Sequence, residues 1–419
     1  TGWTASIAEE VNNMSPIKSA LLKSYALLIS PVLARMTRRQ PLLFCGEGST
    51  NQLCDYIAGV DNKNILLVTD QILIDLDLVA PISSRLQELG ITTTTFGEVD
   101  PDPTFDHVRA GVEIARENNC DSVLAIGGGS SMDCAKGIAA CMTNHKDIGE
   151  LVGLNKCKNW PAPLFVIPTT AGTGSEVSPG AVLTDPVKQH KGGLGGSRHM
   201  PLAAALDPTF MTTMPPAVTA ASGMDALTHA IEAYISRRAT QESDRYALLA
   251  IKLIFDYLPR AYQNGQDLNA RMNMAIASTY AGLACFTPLV GYVHAIAHRL
   301  GENYHVPHGL ANAVVLPHVL EASSGAAEHR LAEIARSLNL GNSDLGKSTD
   351  SDTALSRAFI DAVRTLSKQL EIPEQLDVIK SEDIPSLAKS ALKECHINYA
   401  PPKYFNKKTC EQLIKRIQM

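Results

Sequence analysis

The chain predicts an α/β domain built on a mainly parallel sheet, followed by an all-helical domain, and two observations carry that fold class. Up to residue 205 or so, short apolar runs alternate with amphipathic stretches, the pattern of strands and helices wound around a parallel sheet. Beyond Asp207 the strand pattern ends, and long segments with apolar residues at 3.6 spacing take over, as in packed helices.

In chain order, PLLFCG, NILLVTD, ITTTTFGEV, SVLAIGG, PLFVIPTT and LAAALDP read as strands. Between them, LVAPISSRLQELG and FDHVRAGVEIARENN have helical periodicity and end in Gly or Asn, which favour helix termini. PPAVTAASGMDALTHAIEAYIS, SDRYALLAIKLIFDYL, NARMNMAIASTYAGLA and AAEHRLAEIARSLNL then read as helices, separated by Gly, Pro, Asn and Asp. The division expected is an N-terminal extension over 1–30, the α/β domain over 31–205 and the helical domain over 206–419. No internal repeat or low-complexity tract interrupts it.

Composition narrows the function classes. With 45% hydrophobic and 19% charged residues the chain can bury a sizeable core, and a net charge of -6 leaves no basic excess for nucleic acid or an anionic membrane. A small molecule is the expected partner. No apolar run has the length of a membrane span, and the opening TGWTASIAEEV has no leader pattern, so the expected compartment is the cytoplasm. Nine scattered cysteines without a C-x-x-C pair fit reduced, mostly buried thiols there.

Two glycine-bearing segments suggest ligand chemistry. In SVLAIGGGSSMDCAKGIA, an apolar run leads through Gly127, Gly128, Gly129 and Ser130 into a helix, with Ser130 and Asp133 as a potential capping pair. The segment reads either as a tight turn or as an anion site, where glycines let a pyrophosphate approach the free N–H groups of a helix start. VIPTTAGTGSEVSPG, with Thr169, Thr170 and Thr173 after another strand, suits a dinucleotide lying across strand ends. Asp70 closes NILLVTD, where its carboxylate either caps a helix or accepts from an adenosine ribose and repels a 2′-phosphate.

Histidines concentrate in GYVHAIAHRLGENYHVPHG, which holds four of the chain's twelve. His294 and His298 are four apart, as are Asp225 and His229 in SGMDALTHAIEAY, so each pair projects from one face of a helix. His308 follows after a Gly-containing turn. One carboxylate and two or three imidazoles on facing helices suit Fe²⁺ or Zn²⁺, with one spare imidazole beside the ion.

With these motifs in hand, GGGSSMDCAK, PTTAGTGSEVS, GMDALTHAIEAY and VHAIAHRLGENYHVPHG together resemble the iron-containing (group III) alcohol dehydrogenases over residues 40 to 320. The resemblance implies the two-domain plan shared with dehydroquinate synthase, with a dinucleotide-binding α/β domain, a helical metal-binding domain and the metal in the cleft between them. It implies reversible hydride transfer between an alcohol or aldehyde and NAD, rather than NADP, in a homodimer. It further implies Asp225, His229, His294 and His308 as ligands of Fe²⁺, with Zn²⁺ or another divalent ion in its place as an alternative. By the same motifs His298 is the unligated proton carrier. Gly128, Gly129, Ser130 and Asp133 belong to the pyrophosphate turn, Asp70 to the ribose, and Thr169, Thr170, Thr173 and Lys191 to the cofactor cleft.

The chain also departs from the family pattern at Arg299, Glu302, Gly180 and Asp102. Either Arg299 and Glu302 pair at the surface, or the pocket takes an anionic polyol, as in the 3-deoxy-octulosonate 8-oxidases. Gly180 and Cys395, the latter in SALKECHINYA, are the candidate substrate-pocket residues; for Cys395 the alternative is an ordinary buried thiol. The reading from another class is an inactive binding protein on this scaffold, which would have lost ligands.

Overall fold

In a computed structural model of the chain, the described residues are 21, 22, 24, 39–187, 190–341 and 350–419. The N-terminal extension expected over 1–30 lies outside them, apart from residues 21, 22 and 24. The described residues cluster in two compact units: 39–215 with Asn264–Gly282, and Pro216–Gln263 with Leu283–Met419.

The first unit contains nine strands, β1 (Leu42–Cys45), β2 (Asn64–Val68), β3 (Thr92–Phe96), β4 (Ser122–Gly127), β5 (Gly153–Leu154), β6 (Leu164–Pro168), β7 (Gly180–Asp185), β8 (His190–Gly195) and β9 (Ala203–Leu206). Six form a parallel sheet in the order β1-β9-β6-β4-β2-β3, and they are the six apolar runs of the sequence. Its helices are α1 (Ser49–Gly59), α2 (Gln71–Asp75), α3 (Ala80–Glu88), α4 (Phe105–Glu117), α5 (Gly129–Asn144) and α6 (Ile148–Leu151). Alternate side chains of a strand point to opposite faces, and the core divides accordingly. Leu66, Val68, Val123, Ala125 and Val166 pack with Val108 of α4 and Ile138 of α5. Ile65, Leu67, Leu124, Ile126 and Phe165 pack with Leu53 of α1 and Leu86 of α3. Both faces being covered, the central strands are continuous apolar runs.

The remaining strands make a three-stranded sheet, β5-β8-β7, which the sequence does not announce. HKGGLG in β8 has little side chain to alternate, so its pairing with β7 is set by backbone register rather than by hydrophobic pattern.

The second unit is helical: α7 (Pro216–Ile235), α8 (Gln241–Gln263), α10 (Tyr292–Tyr304), α11 (His308–Ser337), α12 (Asp352–Gln369), α13 (Ile384–Asn398) and α14 (Lys407–Arg416). Between α8 and α10 runs α9 (Leu268–Ala284). No named strand follows Leu206 among the described residues, and none of their helices is long and apolar enough to cross a membrane. All nine cysteines are free, six of them buried.

Residues 206–215 and 264–282, read from sequence as part of the helical domain, cluster with the α/β unit. The physical reason lies in α9. A Cβ on Gly282 would stand 2.9 Å from the Gly174 Cα and 3.0 Å from its carbonyl oxygen, so the loop after β6 and α9 approach backbone to backbone. Beside that contact Thr279 donates a 2.8 Å hydrogen bond to the buried Glu176 carboxylate. Gly282→Ala is therefore expected to destabilise the protein by about 1–3 kcal/mol through overpacking, measured by chemical denaturation; unchanged stability would show that the contact yields freely.

Candidate metal centre and cofactor loops

Helix α7 is buried along most of its length, yet it carries Asp225 and Glu232, each under 5% exposed. Buried carboxylates must find partners or bind a cation. Asp225, His229 and Glu232 stand at i, i+4 and i+7, hence on one face of α7. Donor atoms of Asp225, His229 and His294 all lie within 4.8 Å of one another. His294 Nε2 is 3.6 Å and His308 Nε2 3.4 Å from Asp225 Oδ1, while His229 Nδ1 is 3.9 Å from Oδ2. Asn312 donates to the same Oδ1 at 2.7 Å and sits 3.1 Å from His308 Nε2.

Orientation of His294 comes from Glu232, whose Oε2 lies 2.7 Å from Nδ1. The same carboxylate accepts from the backbone N–H of Gly291 at 2.8 Å and of Val293 at 2.7 Å. With Nδ1 donating to Glu232, Nε2 is the nitrogen turned towards Asp225, and it bears the lone pair once the ring is neutral.

The electrostatics couple one buried carboxylate to three imidazoles. Burial alone would raise Asp225, but the imidazoles of His229, His308 and His294 hold it well below the usual carboxylate range. Burial pushes His229 down to about 4, only partly countered by Asp225. For His294 burial also acts downward, but the carboxylates of Asp225 and Glu232 outweigh it and hold the imidazole up at about 9.

These residues fit a divalent ion. His229 Nδ1 and His294 Nε2 are buried without a hydrogen-bond partner, a cost that a metal bond removes. Bonds of 2.0–2.2 Å in a tetrahedron put donors about 3.4 Å apart, close to the separations from Asp225 Oδ1 to His308 and His294.

His298 stands one turn after His294 on α10, its ring stacked on that of His308 at 5.4 Å. Its Nδ1 lies 2.7 Å from Glu394 Oε1. Arg299 does pair with Glu302, at 2.7 Å, but not at the surface: the two side chains are 15% and 17% exposed, and Arg299 also holds Glu394 Oε2 at 2.8 Å. Cys395, next to Glu394 on α13, is fully buried, and burial and then the carboxylates of Glu232 and Glu394 push its thiol up. The side chain of α13 that reaches His298 is Glu394.

The glycine turn precedes α5 in the α/β unit. Gly128 is the N-cap, and no side chain caps the helix. The expected Ser130–Asp133 capping pair therefore does not form: Asp133 instead accepts from Ser175 Oγ and from the backbone N–H of Val182, each at 2.8 Å. A stronger claim on that carboxylate comes from the loop after β6 than from its own helix. Gly128 and Gly129 face Thr170 and Thr173, and a Cβ on Gly129 would stand 2.7 Å from Thr173 Cγ2. This cradle has no side-chain cap and leaves no room for side chains on its glycines, which fits a pyrophosphate.

Elsewhere in the unit, Asp70 caps α2, Oδ1 accepting from Leu73 N–H at 3.0 Å. Thr169 N–H donates to Gly127 at 3.0 Å, joining the two loops. Lys191 of β8 is salt-bridged to Asp102 at 2.5 Å, and Asp102 has a left-handed φ of 61°. Gly180 opens β7 with its carbonyl accepting from Lys136 Nζ at 2.7 Å. Lys136, buried, also donates to Ser175 O at 2.9 Å and Oγ at 2.6 Å.

Sequence reasoning missed Glu232, Asn312, Glu394 and Lys136. Glu232 had a local signal, the third place on the face shared by Asp225 and His229. Glu394 had none, since its partner is 96 residues away.

Comparison with known proteins finds relatives over most of the chain. The family profile for iron-containing alcohol dehydrogenase matches residues 41–208, and that for the C-terminal part of the Fe-containing alcohol dehydrogenase family matches 219–418. The chain is 38% identical to alcohol dehydrogenase 4 of Saccharomyces cerevisiae, over 90% of this chain and 96% of that protein. It is 37% identical to the NAD-dependent methanol dehydrogenase of Bacillus methanolicus, over 84% and 92%. Among solved structures, 1,3-propanediol oxidoreductase superposes with a TM-score of 0.86 at 36% identity, over 90% of this chain and 98% of that one.

The His294 pKa has a measurable consequence. Below about 9 the metal-free protein holds a proton on this imidazole, and an ion needs the neutral ring. Metal uptake at pH 7.5 is expected to release about one proton per ion, falling towards none as pH rises through His294's titration. Calorimetry in two buffers of different ionisation enthalpy measures it, and release that does not change with pH would contradict the assignment.

Proposed function

The chain belongs to the iron-containing alcohol dehydrogenase family, and from that footing we propose that Asp225, His229, His294 and His308 hold its divalent ion and that His298 carries its proton. The protein is an NAD-dependent alcohol dehydrogenase, acting on a small alcohol or aldehyde. The single observation that carries the ligand assignment is the pair of buried, partnerless imidazole nitrogens beside Asp225. A divalent ion held by these residues would supply Lewis-acid polarisation of the alcohol or carbonyl oxygen, and a bound nicotinamide would supply the hydride acceptor or donor. Asp225 supplies the negative charge and the imidazoles the neutral donors. His298 takes the hydroxyl proton at Nε2 and passes it outward, and in reverse returns it.

We assign residues 31–205 to dinucleotide binding and 206–419 to the metal and substrate. In the first, Gly128, Gly129 and Ser130 receive the pyrophosphate and Asp133 braces them through Ser175. Asp70 faces the ribose with the oxygen not used in capping, and Thr169, Thr170, Thr173 and Lys191 flank the nucleotide. The substrate reading favours a neutral alcohol over a sugar acid. Arg299 is shared between two carboxylates, Glu302 and Glu394, so its guanidinium offers no surplus positive charge to an anionic group. Gly180 leaves space at the start of β7. We further read the protein as a cytoplasmic homodimer: nine free thiols suit a reducing compartment, and β1, an edge strand among the described residues, offers an open edge. A monomer mass in sedimentation equilibrium would contradict the dimer.

The deciding experiment loads the purified protein anaerobically with Fe²⁺ or Zn²⁺ and assays short alcohols, diols and sugar acids with NAD and NADP. Neutral alcohols with NAD are expected to lead; fastest turnover of a sugar acid would reverse the substrate reading. His308→Ala should lose tight metal binding and activity together. His298→Ala should keep its metal and lose about 10²-fold or more in kcat; metal loss equal to that of His294→Ala would make His298 a ligand. Asp70→Gly should narrow the preference for NAD over NADP, and an unchanged ratio would remove Asp70 from the ribose.

A further inference from the structure

We propose that Glu394 is a positioning residue that fixes the ring and tautomer of His298 for proton transfer, an inference that rests on the proton role given to His298. The carboxylate is three-point bound. Oε1 accepts from His298 Nδ1 at 2.7 Å and from the Tyr399 hydroxyl at 2.7 Å, while Oε2 accepts from Arg299 at 2.8 Å. Its side chain is only 14% exposed. Arg299, the residue after His298 on α10, is itself held by Glu302 at 2.7 Å, so the same helix that carries the imidazole also pins its acceptor.

An ionised carboxylate only accepts hydrogen bonds. The Nδ1 it touches therefore bears the hydrogen, and in the neutral ring the lone pair resides on Nε2, the atom that must receive the substrate proton. His298 needs such a hold because its side chain is 22% exposed, and its ring neighbours, His308 stacked at 5.4 Å and His294 edge-on at 6.0 Å, offer packing but do not fix the tautomer. Without the carboxylate the ring is free to rotate or to take the other tautomer. In the oxidation the substrate O–H bond breaks and an Nε2–H bond forms, while the hydride leaves for the nicotinamide. Glu394 takes no proton and ends paired with the imidazolium, a geometry worth far more than a passive contact when a base must be aimed.

Glu394 also ties α13 to α10, so the test must separate positioning from support. Glu394→Gln is nearly isosteric, but its NH₂ faces either the Arg299 guanidinium, donor against donor, or His298 Nδ1, which it drives to the wrong tautomer. Glu394→Ala removes the contact altogether. Tyr304→Phe serves as the comparison: Tyr304 is on α10 too, its hydroxyl donating to Asp383 at 2.7 Å just ahead of α13, and it touches no part of the proton path. Both Glu394 variants should lower kcat at least about tenfold, with alcohol KM within about twofold and metal content kept. Tyr304→Phe should lower the unfolding temperature without that loss. Independently of activity, ¹⁵N spectra of histidine-labelled, metal-free protein, with His298 assigned by its absence in His298→Ala, should show Nδ1–H in the wild type and a shift towards Nε2–H in Glu394→Ala, which leaves no acceptor on Nδ1. A kcat loss in the Glu394 variants no greater than in Tyr304→Phe, or an unchanged tautomer, would overturn the inference. If His298→Ala itself turns over normally, the proton role fails. If it does not while Glu394→Gln does, only the positioning role fails.

Discussion

Glu232 is buried one turn past His229 on α7 and takes three hydrogens, from the N–H groups of Gly291 and Val293 and from Nδ1 of His294. Two of those belong to the first turn of α10, so this carboxylate caps the helix in the manner of an N-cap side chain although it comes from another element. The cap and the imidazole orientation are one interaction. Where α10 begins, and therefore how His294 and His298 are phased against Asp225 and His229, is set by a residue of α7. Gly291 permits it: a Cβ there would stand 2.7 Å from Glu232 Oε1. The charge balance follows from the same place, because two buried carboxylates, Glu232 and Asp225, flank His294 and hold its proton until an ion replaces it.

The α/β unit repeats this logic with a cation. Lys136, buried on α5, spends its ammonium on Ser175 and on Gly180, with Asp133 3.5 Å away and Glu176 as a further buried carboxylate in the loop. Lys136, Asp133 and Ser175 together brace the loop after β6 against the helix of the glycine turn. A buried charge of this kind adds little net stability but is costly to break, so its effect is to specify one loop conformation.

The fold was legible wherever hydrophobic pattern decides. Six apolar runs became the six parallel strands, and the loss of strand pattern after Asp207 marked the helical region. Pattern failed for β8, where glycines leave no alternation to read, for β5, which is two residues long, for β7, whose alternation over Ala181–Leu183 is too short to stand out, and for α9, whose periodicity shows a helix but whose small residue Gly282 sets which unit it joins. The same divide runs through the candidate site. Asp225 with His229, and His294 with His298, are visible because a helix returns to the same face every four residues. Glu394 is invisible because its partner lies far along the chain; Asn312 stands four residues after His308, a local spacing that went unread, and only its bond to Asp225 is distant. Ser130 and Asp133 had the spacing of a cap, yet Asp133 turned to Ser175 and Val182: local rules name what a side chain can do, and a distant partner decides which of these it does.

The uncapped start of α5 has a cost that appears on the stability side of the molecule. A serine or aspartate at an N-cap typically contributes about 1 kcal/mol, and this sixteen-residue helix forgoes it. A protein selected for rigidity alone would close that end with its own side chain. Leaving it open keeps the N–H groups and the positive end of the helix dipole free of a side-chain cap, available to the anion proposed for this turn. Under the pyrophosphate role proposed for this turn, thermal tolerance and cofactor affinity are set against each other at Gly128, and a stabilised variant made by capping this helix would trade the second for the first.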